Sequence, residues 1–170
     1  VSIPQTQDIL QASYRISETS GGAVRPAEVL CAGGGAATAA TVLETLGQCA
    51  IPGGLLKAGD RVDIRFDYAH AGSAAGFAAE VRWGTTGLAA RSADAGESRM
   101  TGRADASIHG GGALWSAQSW GVALAFAAGA GDSDETGADG VTIRFLGRML
   151  NAGGDSLALR NFTVLRYPGQ

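Results

Sequence analysis

Eight consecutive residues, Arg61-Val62-Asp63-Ile64-Arg65-Phe66-Asp67-Tyr68, alternate charge and hydrophobe without a break. In an extended chain this puts Val62, Ile64, Phe66 and Tyr68 on one face and Arg61, Asp63, Arg65 and Asp67 on the other. A helix would scatter both sets around its circumference, so the segment reads as a strand with one buried and one wetted face. The period recurs. Residues 76–83 set Phe77, Ala79, Val81 and Trp83 against Glu80 and Arg82. Residues 99–108 set Met100, Gly102, Ala104, Ala106 and Ile108 against Arg99, Thr101, Arg103, Asp105 and Ser107. Residues 141–150 set Val141, Ile143, Phe145 and Met149 against Arg144 and Arg148.

Further strands are expected at 9–16, 24–30, 41–49, 114–126 and 156–167. In the last of these the inward register passes from Leu157 and Leu159 to Phe162 and Val164, which places a bulge near Arg160 and Asn161. Glycine-rich segments at 33–35, 53–54, 110–112, 129–140 and 153–155 read as the turns between strands. The Ala-rich stretch 36–47 is open between a short helix and a loop. About nine or ten short strands separated by turns predict a single all-β domain, an antiparallel β-sandwich of jelly-roll type. Residues 41–170 form the sandwich module, and residues 1–40 are either an N-terminal arm or its first strands.

Composition narrows the function classes. Ala and Gly make up about a third of the 170 residues, so fewer large side chains fill the core than the 45% hydrophobic content suggests. No apolar run reaches the roughly 18 residues of a membrane-spanning helix. A net charge of −3, with Lys57 the one lysine and no basic tract, argues against a nucleic-acid partner. The sequence begins at Val1 and carries no signal-like segment, which reads as a chain processed or excised from a longer one. Cys31 and Cys49 fit no zinc pattern. They are expected to form a disulfide, and with it an extracellular, non-reducing location.

The run Ile51-Pro52-Gly53-Gly54-Leu55-Leu56-Lys57-Ala58-Gly59-Asp60, leading into the strand at 61–68, resembles the opening of jelly-roll modules in phage tail-fibre and virion proteins and in related secreted bacterial proteins. The run Gly154-Asp155-Ser156-Leu157-Ala158-Leu159-Arg160-Asn161-Phe162-Thr163-Val164 resembles their closing strand. The resemblance covers residues 42–167. It implies an assembly or attachment part, commonly oligomeric, and not an enzyme.

The candidate sites are few. Asp132, Asp134 and Asp139 lie in an acidic loop able to offer several oxygens to calcium, although the twelfth position counted from Asp132 is Ile143 and the EF-hand pattern fails. A solvated turn is the plainer reading of that loop. Parity places Trp120 with Val122, Leu124 and Phe126 in the core, which leaves Trp115 as the outward aromatic, free for an interface or a sugar. Trp83 belongs to the core. His70 and His109 sit at strand ends beside glycines and read as exposed. Ser73 follows His70 by three residues, but no G-x-S-x-G turn marks an activated serine. Asn161-Phe162-Thr163 matches a glycosylation acceptor inside a strand. The charge ladder Arg61, Asp63, Arg65, Asp67 suits protection of an edge strand or pairing with a copy.

Two non-enzymatic functions therefore stand. The first is a structural or assembly subunit of an extracellular fibre, filament or virion surface, a homo-oligomer using its N-terminal strand, with Ile9 and Tyr14 as contacts. The second is a secreted carbohydrate-binding module using Trp115.

Overall fold

The computed structural model describes residues 25–135 and 137–169. Among the described residues there are eleven strands: β1 (Glu28–Gly33), β2 (Ala37–Thr38), β3 (Glu44–Ile51), β4 (Arg61–Ala71), β5 (Phe77–Trp83), β6 (Thr86–Ala93), β7 (Arg99–His109), β8 (Gly112–Gly121), β9 (Ala127–Ser133), β10 (Val141–Met149) and β11 (Ser156–Tyr167). They form two antiparallel sheets packed as a β-sandwich. The larger runs β1-β11-β4-β7-β8-β9, with β2 also on β11, and the smaller runs β3-β10-β5-β6. Because β1 and β2 both pair with β11, residues 28–38 are strands of the same sandwich. Residues 9–16, with Ile9 and Tyr14, lie outside the described residues.

The alternating segments deliver the core they predict. Val62, Ile64, Phe66 and Tyr68 of β4, Phe77, Ala79, Val81 and Trp83 of β5, and Met100, Ala104 and Ala106 of β7 are all buried. Phe66, Phe145 and Phe162 pack in tilted contacts through the middle, with centroids 6.4 Å and 4.7 Å apart. Aromatic bulk on one strand is matched by glycine on its neighbour. Phe66 lies directly opposite Gly102 across β4 and β7. A Cβ added to Gly102 would sit 2.3 Å from Phe66 Cζ and 2.6 Å from the Gln118 carbonyl oxygen.

Cys31 of β1 and Cys49 of β3 form the expected disulfide, with Cα atoms 5.8 Å apart. Both strands are sheet edges, so the bond closes one side of the sandwich. By loop-closure entropy it stabilises the fold by about 3 kcal/mol. The bulge in β11 falls at Arg160, where the pairing with β4 skips a residue. Stretch 36–47 contains no helix, only β2 and a loop into β3.

One strand is absent from the sequence reading, and three expectations fail, for physical reasons. β6 carries only Leu88 as a large hydrophobe, so its alternation is illegible in sequence although it pairs with β5 from Phe77 to Trp83. The strand expected over 114–126 stops at Gly121, and β9 runs from Ala127 to Ser133, into the segment 129–140 read as a glycine-rich turn. Gly129 and Gly131 of β9 make room for the Trp115 indole: a Cβ on Gly131 would lie 2.9 Å from Trp115 Cζ2. The break also inverts the tryptophans. Trp115 is half-buried and packed on the core, while Trp120 is 38% exposed. Finally, β4 lies between β11 and β7 in mid-sheet, so its charge ladder protects no edge.

Among the described residues no helix is long and apolar enough to cross a membrane. Gly102→Val should lower the unfolding free energy by about 1–3 kcal/mol, since neither the Phe66 ring nor the β8 backbone has room to retreat. Urea denaturation checks this, and an unchanged midpoint would contradict the packing described.

Candidate functional site

The outward face of the larger sheet carries a two-dimensional array of polar side chains set by strand register. One row runs Leu165, Asp63, Asp105, Ser116 and Ala130 across β11, β4, β7, β8 and β9. The next runs Thr163, Arg65, Arg103, Gln118 and Ala128. Flanking rows add Tyr167, Arg61, Ser107 and Leu114 on one side, and Asn161, Asp67, Thr101 and Trp120 on the other. Neighbouring rows are about 6.8 Å apart along the strands and neighbouring strands about 4.8 Å apart.

A groove of about 530 Å³ crosses this face, lined by Arg61, Asp63, Arg65, Arg103, Asp105, Ser116, Ala117, Gln118 and Tyr167. Its charge pattern is unusual. The register sets Asp63 opposite Asp105 and Arg65 opposite Arg103, and like charges directly opposite on a sheet destabilise it. Compensation comes from other directions. Arg61 Nη2 reaches Asp105 Oδ1 at 3.2 Å, and Arg65 Nη2 reaches Asp63 Oδ2 on its own strand at 3.2 Å. Ser116 Oγ donates to Asp105 Oδ2 at 2.9 Å, and Thr101 Oγ1 donates to Asp67 Oδ1 at 2.7 Å. Arg103 Nε donates to Gln118 Oε1 at 3.0 Å, and Arg103 has no ion-pair partner among the described residues. Exposed ion pairs of this kind contribute about 0–1 kcal/mol each, too little for the array to be a stability device.

The end of the sandwich beside Trp120 is held by Glu97, a buried carboxylate. It accepts hydrogen bonds from the backbone N–H groups of Arg99, Val122, Ala123 and Leu124. Burial alone would raise its pKa; the four N–H donors outweigh that and hold it at about 2. Arg91 completes the clamp, donating to the Ser119 and Ala125 carbonyls. Two further buried carboxylates act alike. Asp155 accepts from the Ala74 and Ala75 N–H groups, the latter being the main cause of its lowered pKa. Burial pushes the pKa of Asp60 up, but the N–H groups of Gly169 and Lys57 and the Arg166 guanidinium outweigh it and bring the pKa below its ordinary value.

His70 is buried, not exposed as expected. Its Nδ1 donates to the Glu97 carbonyl at 2.7 Å, and its Nε2 lies 3.4 Å from Asp155 Oδ2 without a hydrogen bond. Ser73 is exposed, and so is His109, whose Nδ1 accepts from the Gly111 N–H. The candidate calcium set is not assembled. Asp132 stands on β9 opposite Leu114, Asp134 and Asp139 are exposed, and no three His, Cys, Asp or Glu among the described residues gather as metal ligands. Nearby Glu135 instead accepts from the N–H and hydroxyl of Thr85. Asn161 is exposed at the β11 bulge. Trp115, expected as the outward ligand aromatic, packs over β9, while Tyr167 and Trp120 take the outward positions.

No family model matches the chain, and no curated protein matches it. Among solved structures it is similar to a lectin, UEA-II, complexed with galactose, at 6% identity and a TM-score of 0.44, over 86% of this chain and 100% of that one. It is also similar to an engineered GH43 glycoside hydrolase with endo-xylanase and exo-arabinofuranosidase activity, at 10% identity and a TM-score of 0.36, over 72% of this chain and 35% of that one. Neither likeness bears on what this chain binds. The resemblance to phage tail-fibre and virion modules rests on sequence runs alone.

Glu97→Gln should cost about 2 kcal/mol at neutral pH, the usual loss for hydrogen bonds to a charged group. A lowered carboxyl contributes stability that is complete above its unfolded value near 4.5 and is lost as pH falls towards about 2. The difference between wild type and variant should therefore shrink between those pH values. Denaturation at pH 7 and pH 3 reads it, and a constant difference would contradict the clamp.

Proposed function

We propose that this chain is a non-catalytic, extracellular binding module that holds a carbohydrate across the outer face of its larger sheet. The observation that carries the reading is the groove of about 530 Å³ in which carboxylates, guanidinium groups, a hydroxyl and an amide alternate over two adjacent rows. Sugar hydroxyls donate and accept at once, so they are served by such an array of mixed donors and acceptors. A protein partner would want an apolar centre to this surface, and a nucleic acid would want uniform positive charge. Tyr167 and Trp120, 41% and 38% exposed, stand at opposite corners of the array as stacking faces. They are roughly 25 Å apart, which suits an extended chain of sugars and not a single ring. The Cys31–Cys49 disulfide supports an oxidising, extracellular setting.

A second reading, a homo-oligomeric assembly subunit, is supported by a different observation. Val122 and Phe126 are 77% and 63% exposed at the turn between β8 and β9, where the Glu97 clamp holds the backbone. β9 is also the outer strand of its sheet, with one side unpaired among the described strands.

Glycan-array screening followed by calorimetry tests the first reading. Gln118→Ala and Tyr167→Ala should each weaken binding by about tenfold while changing stability by no more than about 0.5 kcal/mol. No binding to any glycan class would overturn it. Light scattering tests the second: an oligomer that dissociates on Val122→Ser with Phe126→Ser supports it, and a monomer across the micromolar range removes it.

A further inference from the structure

We infer that the saccharide held on this face is acidic, and that a uronate carboxylate bridges Arg65 and Arg103; the inference rests on the carbohydrate reading above.

The register places these two arginines directly opposite one another in mid-sheet, with Cβ atoms about 5 Å apart. The core sets the register but not the residue type: both side chains are exposed and point away from the core, so no packing contact requires arginine at either position. Each guanidinium is only partly committed. Arg65 gives Nε and Nη2 to the one oxygen Oδ2 of Asp63, and Arg103 gives Nε to the neutral amide of Gln118. N–H groups of both forks are left over. The groove lining counts three arginines, Arg61, Arg65 and Arg103, against two carboxylates, Asp63 and Asp105. It therefore carries one unneutralised positive charge on a chain whose net charge is −3.

A single anion between the two forks removes both the excess charge and the Arg–Arg opposition. Guanidinium is planar and presents paired parallel donors that match the two oxygens of a carboxylate. The surrounding Asp63, Asp105 and Ser116 then face the ring hydroxyls of the same or the next sugar. Asp63 and Asp105 also disfavour a dianionic group, such as a phosphate monoester, between the two forks, because its second charge would meet a carboxylate one row away.

Calorimetric titration with matched oligosaccharides tests this: oligogalacturonate, oligogalactose of equal length, and a sulfated oligogalactose. The uronate should bind at least about tenfold more tightly than its neutral counterpart at low salt. That advantage should shrink on passing from about 50 mM to about 500 mM NaCl, as screening shortens the reach of surface charge. Arg103→Gln should bring uronate affinity down to that of the neutral oligomer, and Arg103→Lys should restore only part of the difference. A circular dichroism melt of each variant verifies folding. Equal binding of neutral and uronate oligomers would overturn the inference while leaving the carbohydrate reading in place. Equal or tighter binding of the sulfated oligomer would overturn the carboxylate assignment. Binding of none of the three, together with an empty glycan array, would remove the carbohydrate reading itself.

Discussion

Phe66 and Gly102 are direct partners across β4 and β7, and the Phe66 ring occupies the space that a side chain at residue 102 would fill. Sliding β7 by two residues in either direction would set the ring against Met100 or Ala104, whose side chains already fill the interior. That lock on the inner face dictates the outer one. With Phe66 against Gly102, Arg65 must stand against Arg103 and Asp63 against Asp105. The like-charge opposition on the surface is thus enforced by steric fit in the core, at a cost to the sheet of roughly 0.2–1 kcal/mol per pair.

The ends of the sandwich depend on another device, the buried carboxylate that gathers backbone N–H groups. Asp60, Glu97 and Asp155 each serve a connection that has no strand partner for its amides. Hydrogen bonds to a charged group contribute about 1.5–3 kcal/mol, and each acid satisfies several of these amides at once. His70 lies between two of these connections, hydrogen-bonded to the Glu97 carbonyl and with its Nε2 3.4 Å from Asp155. Glu97 holds the turn that directly follows β8, the strand that carries Gln118 and Trp120.

Much of this was legible in the sequence, and the illegible parts share a cause. Period-two alternation revealed the inner faces of β4, β5, β7 and β10, because large hydrophobes marked one parity. Where Ala and Gly fill both parities, as in β6 and β9, no contrast remains to be read, and the strand emerges only from pairing. The tryptophans were inverted because Val122, Leu124 and Phe126 continued the parity of Trp120 on paper while the chain turned at Gly121. Cys31–Cys49 and the Arg160 bulge were accessible because each leaves a local mark. The groove was half visible: the polar faces of β4 and β7 were clear, but which residues stand opposite one another is a property of two strands together. Asp60, Glu97 and Asp155 were hidden for a similar reason, since their partners are backbone groups and backbone groups have no sequence signature.

If the outer face of the larger sheet is the binding surface, amide chemical-shift mapping during titration with oligogalacturonate will show it most directly. Binding there should produce saturable shifts centred on Asp63, Arg65, Arg103, Asp105, Ser116 and Gln118, with the smaller sheet unmoved. Shifts confined to Val122–Phe126 or to the smaller sheet would contradict it.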